Sequence, residues 1–244
     1  MAQYLEDGYY RDSAAAAPLD ERISFIRRTY LHLAVSVAAL VGIEAALLST
    51  DIGNQIVDTV FRSGAGVLVM IAAFIGAGFL ARYMARADSS TPVKYLGLAL
   101  YIALEAVILL PLLTYASRFV PNGVALIQQA ALLTALVFGG LTLTVFITKK
   151  DFSFMGYALM LGSWLMLGLA LVSVVGFFMG FGFQLGIWFS ALGIALAAGY
   201  ILYDTSNILH HYRTDEHVAA SLELLANVVM LFYYILRLLI QTRD

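Results

Sequence analysis

An all-α integral membrane protein of seven transmembrane helices is what this sequence predicts, and three observations carry the prediction. The chain is 61% hydrophobic and only 12% charged, about half the roughly 25% charged content of soluble domains. Its charges are also confined, with no Asp, Glu, Lys or Arg anywhere between Phe152 and Tyr203. Finally, mainly apolar runs recur at about 20 residues, the length that crosses a ~30 Å hydrocarbon core at about 1.5 Å per residue.

Residues 1–29 are polar, with Arg11, Arg22, Arg27 and Arg28 among Glu6, Asp7, Asp12, Asp20 and Glu21. They are expected to form a mobile cytoplasmic tail, and residues 30–244 the seven-helix domain. No cleavable signal peptide is expected, because the first apolar run begins only at Tyr30. The predicted spans are Tyr30 to Leu48, Gly64 to Met84, Tyr95 to Ser117 with Glu105 and Pro111 inside it, and Val124 to Thr148, closed by Lys149, Lys150 and Asp151. The uncharged stretch 152–203 is too long for one crossing and suits two. A turn in the glycine-rich Gly176 to Gly186 divides it into Phe154 to Val175 and Gln184 to Asp204. The last span is Val218 to Ile240, and no second domain is left over.

Composition also excludes classes of function. The formal net charge of -2 offers no basic surface for nucleic acid, and the absence of cysteine removes disulfides, thiolate metal sites and a cysteine nucleophile. His32, His210, His211 and His217 do not fall into H-E-x-x-H, and the chain lacks G-x-S-x-G and G-x-x-x-x-G-K. No enzyme is expected. Tyr203-Asp204 superficially resembles the first motif of intramembrane aspartyl proteases, but a second activating carboxylate is missing.

Lys and Arg set the expected orientation, because cytoplasmic loops carry their excess. With the N-terminus inside, ten of the 14 basic residues fall on the inner side and Arg62, Arg118, Arg237 and Arg243 on the outer. Seven spans then place the C-terminus outside. That sidedness gathers Arg82 at the end of the second span, Asp204 at the end of the sixth, and Glu223 with Asn227 in the seventh at one depth. Glu223 and Asn227 are spaced i, i+4 and share a face. Asp204 and Arg82 are a plausible carboxylate–guanidinium pair closing the inner end of the bundle, the alternative being that Arg82 and Glu223 each reach water independently. Ionisable groups inside a membrane are costly enough to be functional candidates by default. Glu105 and Glu44 are two more, expected to line a polar approach from the outer face, with Arg237 a possible partner for Glu44.

Four segments resemble one family. The stretch F-G-G-L-T-L-T-V-F-I-T-K-K-D-F-S-F-M-G from Phe138 to Gly156, the L-Y-D-T-S-N-I around Asp204, the R-x-x-Y of Arg27 to Tyr30 and the L-L-P of Leu109 to Pro111 are similar to the Bax inhibitor-1 (transmembrane Bax inhibitor motif) family in its bacterial branch. That resemblance implies seven helices with the last central and surrounded by the other six, in a multi-pass protein of the bacterial inner membrane. It implies a pH-sensitive calcium leak channel, with calcium as the transported ligand. In the family's channel scheme two aspartates of the last two helices share a proton while an arginine of the second helix latches onto the first of them. Asp204 matches the first aspartate, with its carboxylate as the candidate contact for the metal ion, and Arg82 matches the arginine by position. Asn227 stands where calcium-conducting members have the second aspartate, so the dyad is incomplete here, and Glu223 is a possible substitute. The T-S-N-I-L-H of Thr205 to His210 also resembles members that modulate the membrane protease FtsH. A non-conducting regulator that binds another membrane protein, through its tail or the small-residue face Gly64 to Gly78, therefore stands beside the channel.

Overall fold

A computed structural model of the chain describes residues 13–51, 54–55, 58–59, 64–85, 89–180 and 185–243. Within them lie seven α-helices: α1 Leu19–Ser49, α2 Gly64–Met84, α3 Thr91–Phe119, α4 Gly123–Thr148, α5 Gly156–Met179, α6 Ile187–His210 and α7 His217–Gln241. Six of these, α1 and α3 to α7, are long and apolar enough to cross a membrane by length and hydropathy. The protein is thus an all-helical, multi-pass membrane protein. The tail before Ser13, Arg62, Arg86, and residues 181–184 of the expected Gly176 to Gly186 break lie outside the described residues.

α2 has the bounds the sequence predicts, whereas two other boundaries move in ways that matter. α1 starts at Leu19 rather than Tyr30, so that Leu19–Thr29, expected in the tail, form its first three turns. Asp20 and Glu21 in the first turn favour that start by opposing the helix dipole. Before it, Ser13 and Ala14 are buried against the loop that follows α6, with the Ala14 N–H donating to the Tyr212 carbonyl at 2.7 Å. The second shift is at α6, which runs past Asp204 to His210. The reason is packing, since Thr205, Ser206, Ile208 and Leu209 are all buried. Asp204 is consequently an interior residue of its helix and not its cap.

α7 packs against α1, α3, α4 and α6, and its Leu222, Leu224, Leu225, Leu231 and Leu236 are among the most deeply buried side chains. α6 and α7 form an antiparallel hairpin closed so tightly that a Cβ at Gly193 would run into the Tyr234 ring. α5 lies outside this core on α6, with Tyr157, Leu161, Trp164 and Leu165 exposed. Exposed apolar side chains of this kind suit hydrocarbon rather than water. Between α4 and α5 the chain turns through Lys149, in the left-handed region at φ 52°, and a short 3-10 turn at Ser153–Met155. This turn carries the T-K-K-D-F segment onto α6, where the Ser206 hydroxyl accepts the Phe152 N–H at 2.8 Å.

Candidate functional site

The polar residues of α2, α3, α6 and α7 meet in one cavity of about 730 Å³, lined among others by Arg82, Glu105, Asp204, Glu223 and Asn227. Helical spacing brings them there. Glu223 and Asn227 lie one turn apart on α7, Glu105 follows Tyr101 by one turn on α3, and Arg82 sits in the last turn of α2. The grouping expected from the sequence for Arg82, Asp204, Glu223 and Asn227 is therefore observed, and Glu105, expected on the approach from the outer face, lines the same cavity.

Their pairing differs from the expected one. Arg82 does not bond Asp204; its Nε–H donates to both oxygens of Glu223, at 2.9 and 3.1 Å. Asp204 instead accepts a 2.7 Å hydrogen bond at Oδ2 from the side-chain amide of Asn227, and Asn207 is a second hydrogen-bonding neighbour. The physical reason is reach and exposure. Arg82 is 44% exposed and meets the 29% exposed Glu223 at the cavity edge, whereas Asp204 and Asn227 are buried. A neutral amide satisfies a buried carboxylate without bringing a second full charge out of water. The guanidinium also lies 5.6 Å from the centre of the Tyr101 ring, and Tyr101 in turn is the hydrogen-bonding neighbour of Glu105. One layer thus links all four helices through side chains.

Glu44 lies elsewhere. It is buried on α1, and neither carboxylate oxygen has a hydrogen-bond partner among the described residues. Arg237, its expected partner, donates to the Leu185 carbonyl at 2.8 Å and stacks over the Phe189 ring at 4.9 Å. Among the described residues no group of three or more His, Asp or Glu converges as a metal site.

Sequence reasoning passed over several lining residues. Tyr101, Tyr200 and Tyr212 face the cavity, and Ser163 bonds Tyr200 at 2.9 Å between α5 and α6. The available signal was spacing, since Tyr101 and Tyr200 each precede a singled-out acid by four positions. A second cluster closes the same end of the bundle. Asp151 accepts from the Ser153 N–H at 2.8 Å and the Ser206 hydroxyl at 3.2 Å, and it pairs with His211 at 3.2 Å. Burial works against its charge, but the bonds from Ser153 and His211 outweigh it and hold the Asp151 carboxyl down at about 2.

Fold and site together define a class: a polytopic helical membrane protein with a charged cavity between its second, third, sixth and seventh helices. The family profile described as "Inhibitor of apoptosis-promoting Bax1" matches residues 22–244, and the chain belongs to the Bax inhibitor family. It is 27% identical to the Golgi anti-apoptotic protein of vaccinia virus, over 96% of this chain and 93% of the viral one. It is 26% identical to mouse protein lifeguard 4, over 96% and 92%. An uncharacterised protein of Campylobacter jejuni is 33% identical over 88% of this chain and 87% of its own length. The match to Bax inhibitor 1 of Schizosaccharomyces pombe is 35% over 62% and 53%. No solved structure matches the chain significantly.

Proposed function

We propose that this protein is a cation leak pathway of the bacterial inner membrane, calcium being its cargo, closed at its cytoplasmic end by two side-chain pairs on α7. The observation that supports this reading is the single cavity holding Glu105, Asp204 and Glu223 together with Arg82 and Asn227. Calcium prefers several oxygen ligands, and these carboxylates with the tyrosine hydroxyls and amide oxygens beside them supply oxygens at one level. Arg82–Glu223 ties α2 to α7, and Asp204–Asn227 ties α6 to α7. Opening requires both ties to yield. Glu44 lies on the approach from the outer side. In this reading all seven helices cross the bilayer around α7, the N-terminus is cytoplasmic and the C-terminus outside, as the ten-to-four division of Lys and Arg favours.

The test is calcium flux through the purified protein in liposomes. Wild type should leak slowly, and Glu223→Gln, which frees Arg82, should raise the rate. Asn227→Asp should make the leak pH dependent near neutrality, because two carboxylates in contact hold one proton between them. Flux at the protein-free background, or flux indifferent to both substitutions at about pH 6 and about pH 8, would exclude the channel. A reporter fused after His217 should be cytoplasmic and one after Asp244 external.

A second reading is a non-conducting regulator that binds another membrane protein, such as a protease of the FtsH type. It is favoured by Gly76 on α2, where a Cβ would have nothing within 4 Å among the described residues, leaving room for a partner helix to approach closely. Crosslinking from Gly76→Cys to a co-expressed protease in membranes that show no flux would select it.

A further inference from the structure

A second polar cluster lies away from the cavity, where α1, α3 and α7 pack together. α1 contributes Arg28 and His32, the first two turns of α3 contribute Lys94 and Tyr95, and α7 begins at His217. The His32 and His217 rings are 5.0 Å apart, and His32 bonds the Tyr95 hydroxyl at 2.8 Å. Arg28 and Lys94, and in the opposite sense Asp215, lie close enough to act electrostatically on His217. We propose that this corner binds the phosphate of an anionic phospholipid headgroup, with Arg28, Lys94 and His217 as its ligands; His32, held at Nδ1 by the Arg28 carbonyl at 2.7 Å and at Nε2 by Tyr95, positions them.

Four observations converge on that ligand. First, neither Arg28 nor Lys94 is in an ion pair among the described residues. The acids of the adjoining loop are occupied, since Asp215 takes the Arg213 guanidinium at 3.2 Å and Glu216 the Arg213 N–H at 2.9 Å. Second, α3 and α7 both begin here with no side-chain cap hydrogen bond among the described residues, so two positive dipole ends meet at the corner. Third, the Nδ1 atom of the half-buried His217 is shielded and has no hydrogen-bond partner among the described residues, so the corner's own hydrogen bonding is incomplete there. Fourth, exposed Leu31 and Val35 on α1 and Leu96 on α3 continue from it, an apolar surface for acyl chains that a free anion does not need. Two fixed cations make the corner unfavourable for a metal ion, although two imidazoles are present. Phosphate contacts by Lys and Arg near a membrane surface have the strength to select anionic lipid.

The experiment is native mass spectrometry of the full chain in detergent, titrated separately with phosphatidylglycerol, phosphatidylcholine, inorganic phosphate and zinc. Phosphatidylglycerol should be retained in preference to phosphatidylcholine. The double variant Arg28→Gln/Lys94→Gln should weaken its binding by roughly tenfold or more, given the usual contribution of each surface Lys or Arg. Lys149→Gln/Lys150→Gln, the same charge change at the end of α4, should leave it unchanged. Should the double variant fail to fold, Lys94→Gln alone should show roughly a threefold loss and Arg28→Lys should retain binding. The proposal is overturned by equal retention of phosphatidylcholine, by equal weakening in the α4 variant, by inorganic phosphate displacing the lipid at equal concentration, or by zinc occupying the site in its place.

Discussion

Glu105 and Glu44 are both carboxylic acids buried inside apolar helices, at 4% and 6% exposure, yet their surroundings share nothing. Glu105 belongs to a layer in which Tyr101, Arg82, Glu223, Asp204 and Asn227 meet from four helices. Glu44 has two oxygens with no hydrogen-bond partner among the described residues. The difference shows that burial of a charged residue type in a membrane helix does not by itself make a site. What makes one is convergence, because each buried polar group lowers the cost of burying the next only when it supplies a donor or a countercharge.

The contrast is most strongly tested by removing a donor from the layer. Asn227→Leu strips Asp204 Oδ2 of its 2.7 Å bond and leaves Asn207 as the remaining hydrogen-bonding neighbour of a buried acid, with an expected loss of about 2 kcal/mol in denaturant unfolding in detergent. Unchanged stability would show that the layer is no more cooperative than the Glu44 region. Glu44→Leu should act in the opposite direction, stabilising by about 2 kcal/mol, because it removes an unsatisfied polar group rather than a partner. A loss in the same assay would mean that Glu44 has a partner, and the comparison would collapse.

Arg82→Gln sharpens the comparison within the layer itself. The pair with Glu223 is partly exposed, so its removal should cost less than about 1 kcal/mol while changing flux in the liposome assay more than Glu44→Leu does. Asp151 extends the contrast to the loop cluster. Its carboxyl is held at about 2 in the folded protein and returns to about 3.9 on unfolding. Its contribution is therefore fully present above about pH 4 and fades as pH falls toward 2. Thermal melts across that acid range should fall less steeply for Asp151→Asn than for wild type. The smallest effect is expected at Lys149, whose φ of 52° suits glycine. Lys149→Gly should shift stability by no more than about 1 kcal/mol, in the stabilising direction if the strained backbone dominates.

Much of the helical framework was legible because it depends on local quantities. Hydrocarbon thickness fixes helix length, so uncharged runs of about 20 residues locate the helices, and α2 and α4 are found within one residue of the expected ends. Family membership was legible in the T-K-K-D-F segment and in the Y-D-T-S-N around Asp204. The ends of α1 and α6 were not, because polarity was read as a stop signal. In α1 the polar turns simply continue the helix beyond the apolar run, and in α6 the side chains of Thr205 and Ser206 are covered by packing.

Composition, spacing and motif were enough for the helical class, the family and the grouping of Arg82, Asp204, Glu223 and Asn227, since a scarce polar residue in an apolar helix is identifiable from composition and period alone; that Glu105 joins them is a result of packing. Only the tertiary structure decided who binds whom. Arg82 pairs with Glu223, Asp204 with Asn227, and Arg237 with a carbonyl instead of Glu44. Hydrogen bonds are settled by tenths of an ångström and by the rotation of each helix about its axis, quantities set by contacts such as the Tyr234 ring on the bare backbone of Gly193 across the α6–α7 seam. No local feature of the chain encodes them.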